Sequence, residues 1–276
     1  MMKSSNILRG FVGELLGTFI LVLFGCGSVA VSTLFGEYYG IFQIAIVWGL
    51  GVSLAIYLTR HICCAHLNPA VSIAMVVGKR MKASKLPSYL VAQFLGAFIA
   101  GAMLYVLFSP SIVEYETVHG IVRGAVGSEA TGRMFGEYYI KHGCAICDMS
   151  YAILGEGFGT FLLVLLIFAL TEGCNVGRPN SSIAPLFIGI SVSSVICLVA
   201  PLTQAGLNPA RDFGPRMIAW IAGWGSAAFP DNMGGFFWVY ILSPIVGGTL
   251  AALLFVCVLE PMMNKETREK KCCDDK

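Results

Sequence analysis

Charged residues are scarce in this chain. The 18 Lys and Arg and 16 Asp and Glu make up 12% of 276 positions, against 57% hydrophobic residues. A soluble domain carries about 25% charged residues, so the composition excludes an ordinary soluble fold and indicates a polytopic membrane protein. A net charge of +2, with no basic stripe, excludes a nucleic-acid partner. No nucleophile–base pair stands out, so no enzyme is expected, and no cofactor or metal site either. The ten cysteines do not change this. Cys26, Cys174, Cys197 and Cys257 fall in or beside apolar runs, where a thiol is a small hydrophobe. Cys144 and Cys147 form a lone C-x-x-C, short of the four ligands of a closed zinc site. The first apolar span lacks a small-residue cleavage site and reads as a retained helix rather than a signal peptide.

What is present is six spans of about 20 apolar residues, the length that crosses a bilayer. They lie near 9–34, 41–60, 84–108, 150–171, 182–201 and 236–259. Two shorter stretches, 68–78 and 208–222, are too short or too broken to cross alone. Lys and Arg concentrate before the first span, between spans two and three, and in the tail, which places both termini in the cytoplasm.

Each short stretch opens on the same tripeptide, Asn68-Pro69-Ala70 and Asn208-Pro209-Ala210. Asn is a good N-cap and Pro suits the first helical turn, so both read as helix starts. Gly13-Glu14 through Thr18-Phe19 likewise resembles Gly155-Glu156 through Thr160-Phe161. The offsets, 142 residues for the Glu segments and 140 for the tripeptides, keep one register over a half-chain. Three spans per half make the second half enter the membrane from the opposite side, an inverted repeat. The expected layout is one channel domain over 1–276. Within it, 9–108 and 150–260 are the repeats, 109–149 an extracellular connecting loop and 261–276 a cytoplasmic tail. Glu14 and Glu156 are the only clear carboxylates within spans, and each is expected to accept N–H groups from the irregular loop before an Asn-Pro-Ala.

His66-Leu67-Asn68-Pro69-Ala70-Val71 and Leu207-Asn208-Pro209-Ala210-Arg211-Asp212, with the duplicated Glu spans, resemble the aquaporin and aquaglyceroporin family from about residue 9 to 260. The resemblance implies an all-α membrane fold of six transmembrane helices and two re-entrant half-helices. It implies a pore in every subunit of a homotetramer set in the lipid bilayer of a plasma or inner membrane. It places Asn68 and Asn208 at a central constriction. Backbone of Cys64, Ala65, His66 and Leu67 on one side, and of Gln204, Ala205, Gly206 and Leu207 on the other, is expected along the track.

The outer filter that the resemblance implies is Trp48, 20 residues before Asn68; Ile196, 12 before Asn208, with Val195 or Cys197 as the alternatives one position away; Ala205; and Arg211. The Phe and His of the water-selective pattern are missing. Asp212 and Arg216 match the aquaglyceroporin form. Ala205 stands where glycerol facilitators have Phe, and Tyr240-Ile241 lacks their Pro-Leu pair, so the set looks closer to plant nodulin-like intrinsic proteins. The expected solutes are glycerol and related polyols, with water. The alternatives are a mainly water-selective pore, or a channel for metalloid acids, ammonia or lactic acid. A secondary carrier is disfavoured by the few ionisable groups in the spans. A mainly structural role would rest on the long 109–149 loop.

The topology makes a prediction of its own. Asn180-Ser181-Ser182 is a glycosylation sequon placed on the cytoplasmic side, so a eukaryotic expression host should leave it unmodified. A mass shift at Asn180 removed by a glycosidase would invert the topology.

Overall fold

The computed structural model describes residues 2–38, 40–139, 148–230 and 234–263. Cys144, Cys147, Cys272, Cys273 and the basic tail lie outside the described residues. The described residues form helices α1 (Met2–Phe35), α2 (Ile41–Thr59), α3 (Pro69–Val77), α4 (Leu86–His119), a single turn α5 (Glu129–Gly132), α6 (Met149–Thr171), α7 (Ala184–Thr203) and α8 (Pro209–Ala219). The last, α9, runs Phe237–Met263. Its α-helical middle is flanked by π-helical turns at Phe237–Leu242 and Phe255–Leu259. Six of these helices are long and apolar enough to cross a membrane, while α3 and α8 are 9 and 11 residues long.

The two half-chains pack alike. α1 lies against α4 as α6 lies against α9, and α2 crosses α7 between them. That central crossing is set by glycine. A Cβ on Gly49 would stand 2.4 Å from the carbonyl oxygen of Gly189, and one on Gly189 would stand 2.2 Å from that of Gly49. With the backbones this close, Ser53 donates to the Pro185 carbonyl at 3.1 Å and Ser193 to the Ala45 carbonyl at 2.8 Å, across the two helices. Small residues and interhelical hydrogen bonds are what lipid leaves available, because burying apolar surface against lipid tails gains nothing.

The connection between the halves departs from the expected loop. The third span does not stop near 108 but continues as α4 to His119, through Pro110. Pro110 has no N–H to give Val106, and the Ser109 hydroxyl reaches that carbonyl instead at 3.4 Å. Gly120, at φ 64°, then ends the helix, and Ile121 N–H closes back on the Glu116 carbonyl at 2.8 Å. Beyond it, Arg123 pairs with Glu116 at 2.7 Å and lies 4.1 Å over the Trp224 ring. Trp224 in turn donates to the Ser128 carbonyl and to Thr131. The segment is thus pinned to the turn that follows α8.

Gly49→Val puts branched carbon where the α7 backbone stands. Overpacking costs about 1–3 kcal/mol where side chains can shift, and backbone cannot. The variant should lose at least that much, read as a lowered thermal midpoint in detergent. A midpoint equal to the parent's would deny the crossing its role.

Candidate channel and its selectivity site

The site begins with a backbone problem. The segments ahead of α3 and α8 are irregular, yet they lie in the interior of a membrane-protein fold, where an unpaired N–H or C=O is costly. Ala65, Leu67, Gln204, Ala205 and Leu207 all have positive φ, from 52° to 66°, a region that non-glycine residues seldom occupy. Strain of this kind persists only where surroundings enforce it. Here two carboxylates do so. Glu14 accepts the His66 N–H at 2.9 Å and the Leu67 N–H at 2.7 Å, and its third donor is the Gln93 amide at 2.8 Å. Glu156 accepts the Gly206 N–H at 2.8 Å, the Leu207 N–H at 2.7 Å and the Thr203 hydroxyl at 2.6 Å. Both carboxylates are fully buried. With the N–H groups turned outward to Glu, the carbonyls of Cys64, Ala65, His66, Ala205 and Gly206 take no hydrogen bond within the protein, among the described residues.

The loops then enter the half-helices. Asn68 caps α3 by accepting the Ala70 N–H at 2.8 Å, and Asn208 caps α8 by accepting from Ala210 at 3.1 Å and Arg211 at 3.2 Å. Capping fixes which way each amide points: the oxygen faces its own helix and the NH2 faces away. One N–H of Asn68 goes to the Leu207 carbonyl at 2.8 Å, and one of Asn208 to the Leu67 carbonyl at 2.9 Å. The halves are tied at their centre by this exchange. Each amide has two N–H donors, so each keeps one for a passing oxygen.

A single cavity of about 420 Å3 runs past both asparagines. Its lining combines the loop residues Cys64, Ala65, His66, Leu67, Ala205, Gly206 and Leu207 with aliphatic side chains such as Val52, Ile56, Val192 and Leu163. Gln204 is absent from the lining. Its side-chain oxygen accepts the Tyr138 N–H at 2.9 Å, and its carbonyl, like those of Ala205 and Gly206, takes no hydrogen bond among the described residues. Ile196 lines the cavity, and its neighbours Val195 and Cys197 do not.

Trp48, Ile196, Ala205 and Arg211 all line this cavity. The Arg211 guanidinium lies 4.2 Å from the centre of the Trp48 ring, and both side chains are buried. Trp48 fits because residue 25 is glycine: a Cβ there would stand 2.1 Å from the ring. Arg60, Arg80 and Arg178 line the cavity as well. Arg80 is paired with Glu172 and, at 3.0 Å, with Glu260, while Arg60 donates to the Ser181 carbonyl at 2.7 Å.

One functional residue was not singled out in the sequence. Glu137, from the segment between the halves, forms a buried ion pair with Arg211. Its backbone is clamped on both sides by α8. The Asp212 carboxylate accepts the Glu137 N–H at 2.8 Å, and Arg216 donates to the Glu137 carbonyl at 2.6 Å. Asp212 and Arg216 are themselves paired one helical turn apart at 2.8 Å, both fully buried. No sequence pattern marks it; only the structure shows that Gly136, beside it, leaves room for Arg216, since a Cβ there would stand 2.6 Å from the guanidinium carbon.

The family model described as major intrinsic protein matches residues 1–255. The chain belongs to the major intrinsic protein family. It is 42% identical over 242 residues to the glycerol uptake facilitator protein of Pseudomonas aeruginosa, covering 87% of this chain and 85% of that one. It is 37% identical over 283 aligned positions to the glycerol uptake facilitator protein of Escherichia coli K12, covering 98% and 99%. A propanediol uptake facilitator of Salmonella typhimurium is 40% identical over 243 residues, covering 88% and 90%. Among solved structures, the aquaglyceroporin from Plasmodium falciparum superposes with a TM-score of 0.80 at 26% identity, covering 94% of this chain and 99% of that chain. The fold is the aquaporin fold, six spanning helices with two half-helices.

Glu137→Gln keeps the shape and removes the charge opposite Arg211. Breaking a buried pair costs about 3–5 kcal/mol. The thermal midpoint should fall accordingly, and solute flux should fall with it as the Arg211 side chain loses its tether. A variant with unchanged midpoint and flux would make the pair incidental.

Proposed function

We propose that this protein is a passive channel for glycerol and related small polyols, with water, and that it excludes ions and protons. The observation that supports it most is the mixed lining of the lumen. Ile196 and the aliphatic lining offer no hydrogen bonds and Trp48 adds the apolar face of its ring, while the loops present free carbonyls, the Asn68 and Asn208 amides and Arg211. A polyol has the same division, carbon on one side and hydroxyls on the other. Hydroxyl groups donate to the carbonyls and accept from the amides, which replaces the water that the solute leaves behind. Two half-helix N-termini at the centre place partial positive charge there, and Arg211 adds a full charge at the filter. A cation meets a barrier at both places. The glycerol and propanediol facilitators among the relatives carry substrates of this class in their names.

In this reading Trp48, Ile196, Ala205 and Arg211 form the selectivity filter and Asn68 and Asn208 the central constriction. Glu14 and Glu156 support the loops. Ile196 and Ala205 give a filter with one aliphatic wall and one short side chain, wide enough to admit a carbon skeleton beside Trp48. The repeats 9–108 and 150–260 form one channel domain, joined by an extracellular 109–149 segment. The chain sits in the cell membrane with both termini cytoplasmic, as a homotetramer with a pore in each subunit.

The test is stopped-flow osmotic response of proteoliposomes in water and glycerol gradients, beside protein-free vesicles. Glycerol flux should stand well above the protein-free rate. Ile196→His narrows the filter and adds a donor, and should lower glycerol flux relative to water flux at least tenfold, about 1.4 kcal/mol of barrier. Fast water flux with glycerol at background in the parent protein would replace this reading with a water-selective pore.

A further inference from the structure

A second cavity, of about 320 Å3, lies beside the channel at the end where the chain starts. Cys64 lines both this cavity and the lumen. The wall carries three basic side chains, Arg9 from α1, His61 from the turn after α2 and Lys85 at the start of α4. It also carries the hydroxyl residues Ser88 and Tyr89 and, among the described residues, no carboxylate. Neither Arg9 nor Lys85 forms an ion pair among the described residues, whereas Arg80 on the same face holds two glutamates. Lys85 is also the N-cap residue of α4. A helix N-terminus already carries partial positive charge, so a cation there has the wrong sign.

The preference for basic residues on the cytoplasmic face explains why Lys and Arg occur here. It does not explain a concave wall with hydroxyls, no acid and a lysine against its own helix end. Like charges gathered this way are relieved by an anion. Exposed Ile7 and Ile62 lie on the same wall, placing apolar surface beside the cations.

We infer that this cavity binds a phosphate ester, with Arg9 and Lys85 on the phosphate and the hydroxyls of Ser88 and Tyr89 as further donors. Basic recesses between membrane helices on this face suit anionic headgroups. The neighbouring isoleucines favour a lipid over a soluble ester as the source. The site also reaches the channel wall. Tyr89 accepts the Cys64 N–H at 3.1 Å, and its ring meets the His66 ring edge-on at 5.5 Å. An occupant held by Tyr89 therefore stands next to the Cys64 thiol and covers it.

The experiment measures the alkylation rate of Cys64 by N-ethylmaleimide in the full chain, quantified by peptide mass spectrometry. Cys174, which opens the connection between α6 and α7, serves as the internal reference. Three preparations are compared: phosphatidylcholine vesicles alone, the same with phosphatidylglycerol, and the same with soluble glycerol phosphate. Phosphatidylglycerol should slow Cys64 relative to Cys174. Each Lys or Arg near an anionic surface is worth about fivefold in affinity, so Arg9→Gln with Lys85→Gln should raise the half-protecting dose about 25-fold. Lys82→Gln, an exposed neighbour outside the cavity, should leave it unchanged. Protection by glycerol phosphate as well would extend the site to the soluble ester. No protection by either, or equal protection in the double variant, overturns the inference. The readout involves no transported solute, so it stands or falls separately from the polyol reading.

Discussion

The channel depends on two carboxylates that never touch the solute. A chain inside a membrane must satisfy its own backbone, and helices do so without help. The loops before α3 and α8 cannot. Glu14 and Glu156 take the N–H groups of those loops and hold them in left-handed conformations, which sends the carbonyls into the lumen. Burying a carboxylate costs several kcal/mol. Two backbone donors and a side-chain donor offset that cost, each hydrogen bond to a charged group contributing about 1.5–3 kcal/mol. The unpaired acceptors left over are what a hydroxyl-bearing solute can use.

The second half of the chain repeats the first in its scaffold and departs from it at the filter. Both halves use a Glu, a left-handed loop and an Asn cap, and the two caps exchange hydrogen bonds across the centre. Only α8 continues with Arg211, Asp212 and Arg216. Arg211 faces the lumen beside Trp48, while Asp212 and Arg216 point away from it and clamp Glu137. Glu137 then closes on Arg211. One short helix thus supplies the cation in the lumen and the grip on the carboxylate that pairs with it.

Much of this was legible without coordinates. The spans, the two half-helices and the role of Glu14 and Glu156 follow from apolar run length, from caps and from the repeat register. The family resemblance, counted from the tripeptides, names Trp48, Ile196 and Ala205, and all three line the cavity. Three things were not legible. The Gln204 side chain turns to the Tyr138 N–H, 66 positions back in the chain. α4 runs on through Pro110, since a neighbouring serine hydroxyl serves the carbonyl that proline leaves. Glu137 has no motif, because its partners lie 74 to 79 positions further along the chain.

What the sequence by itself determined is therefore everything governed by local chemistry and periodicity: span lengths, helix starts, the repeat and the residues that a fixed rise carries to one face. What only the tertiary structure decided is which charges meet. The pairing of Glu137 with Arg211 and the grouping of Arg9, His61 and Lys85 around one cavity join segments far apart in sequence. Such contacts depend on how three irregular connections lie over packed helices. No repeat or period in the chain encodes that distance.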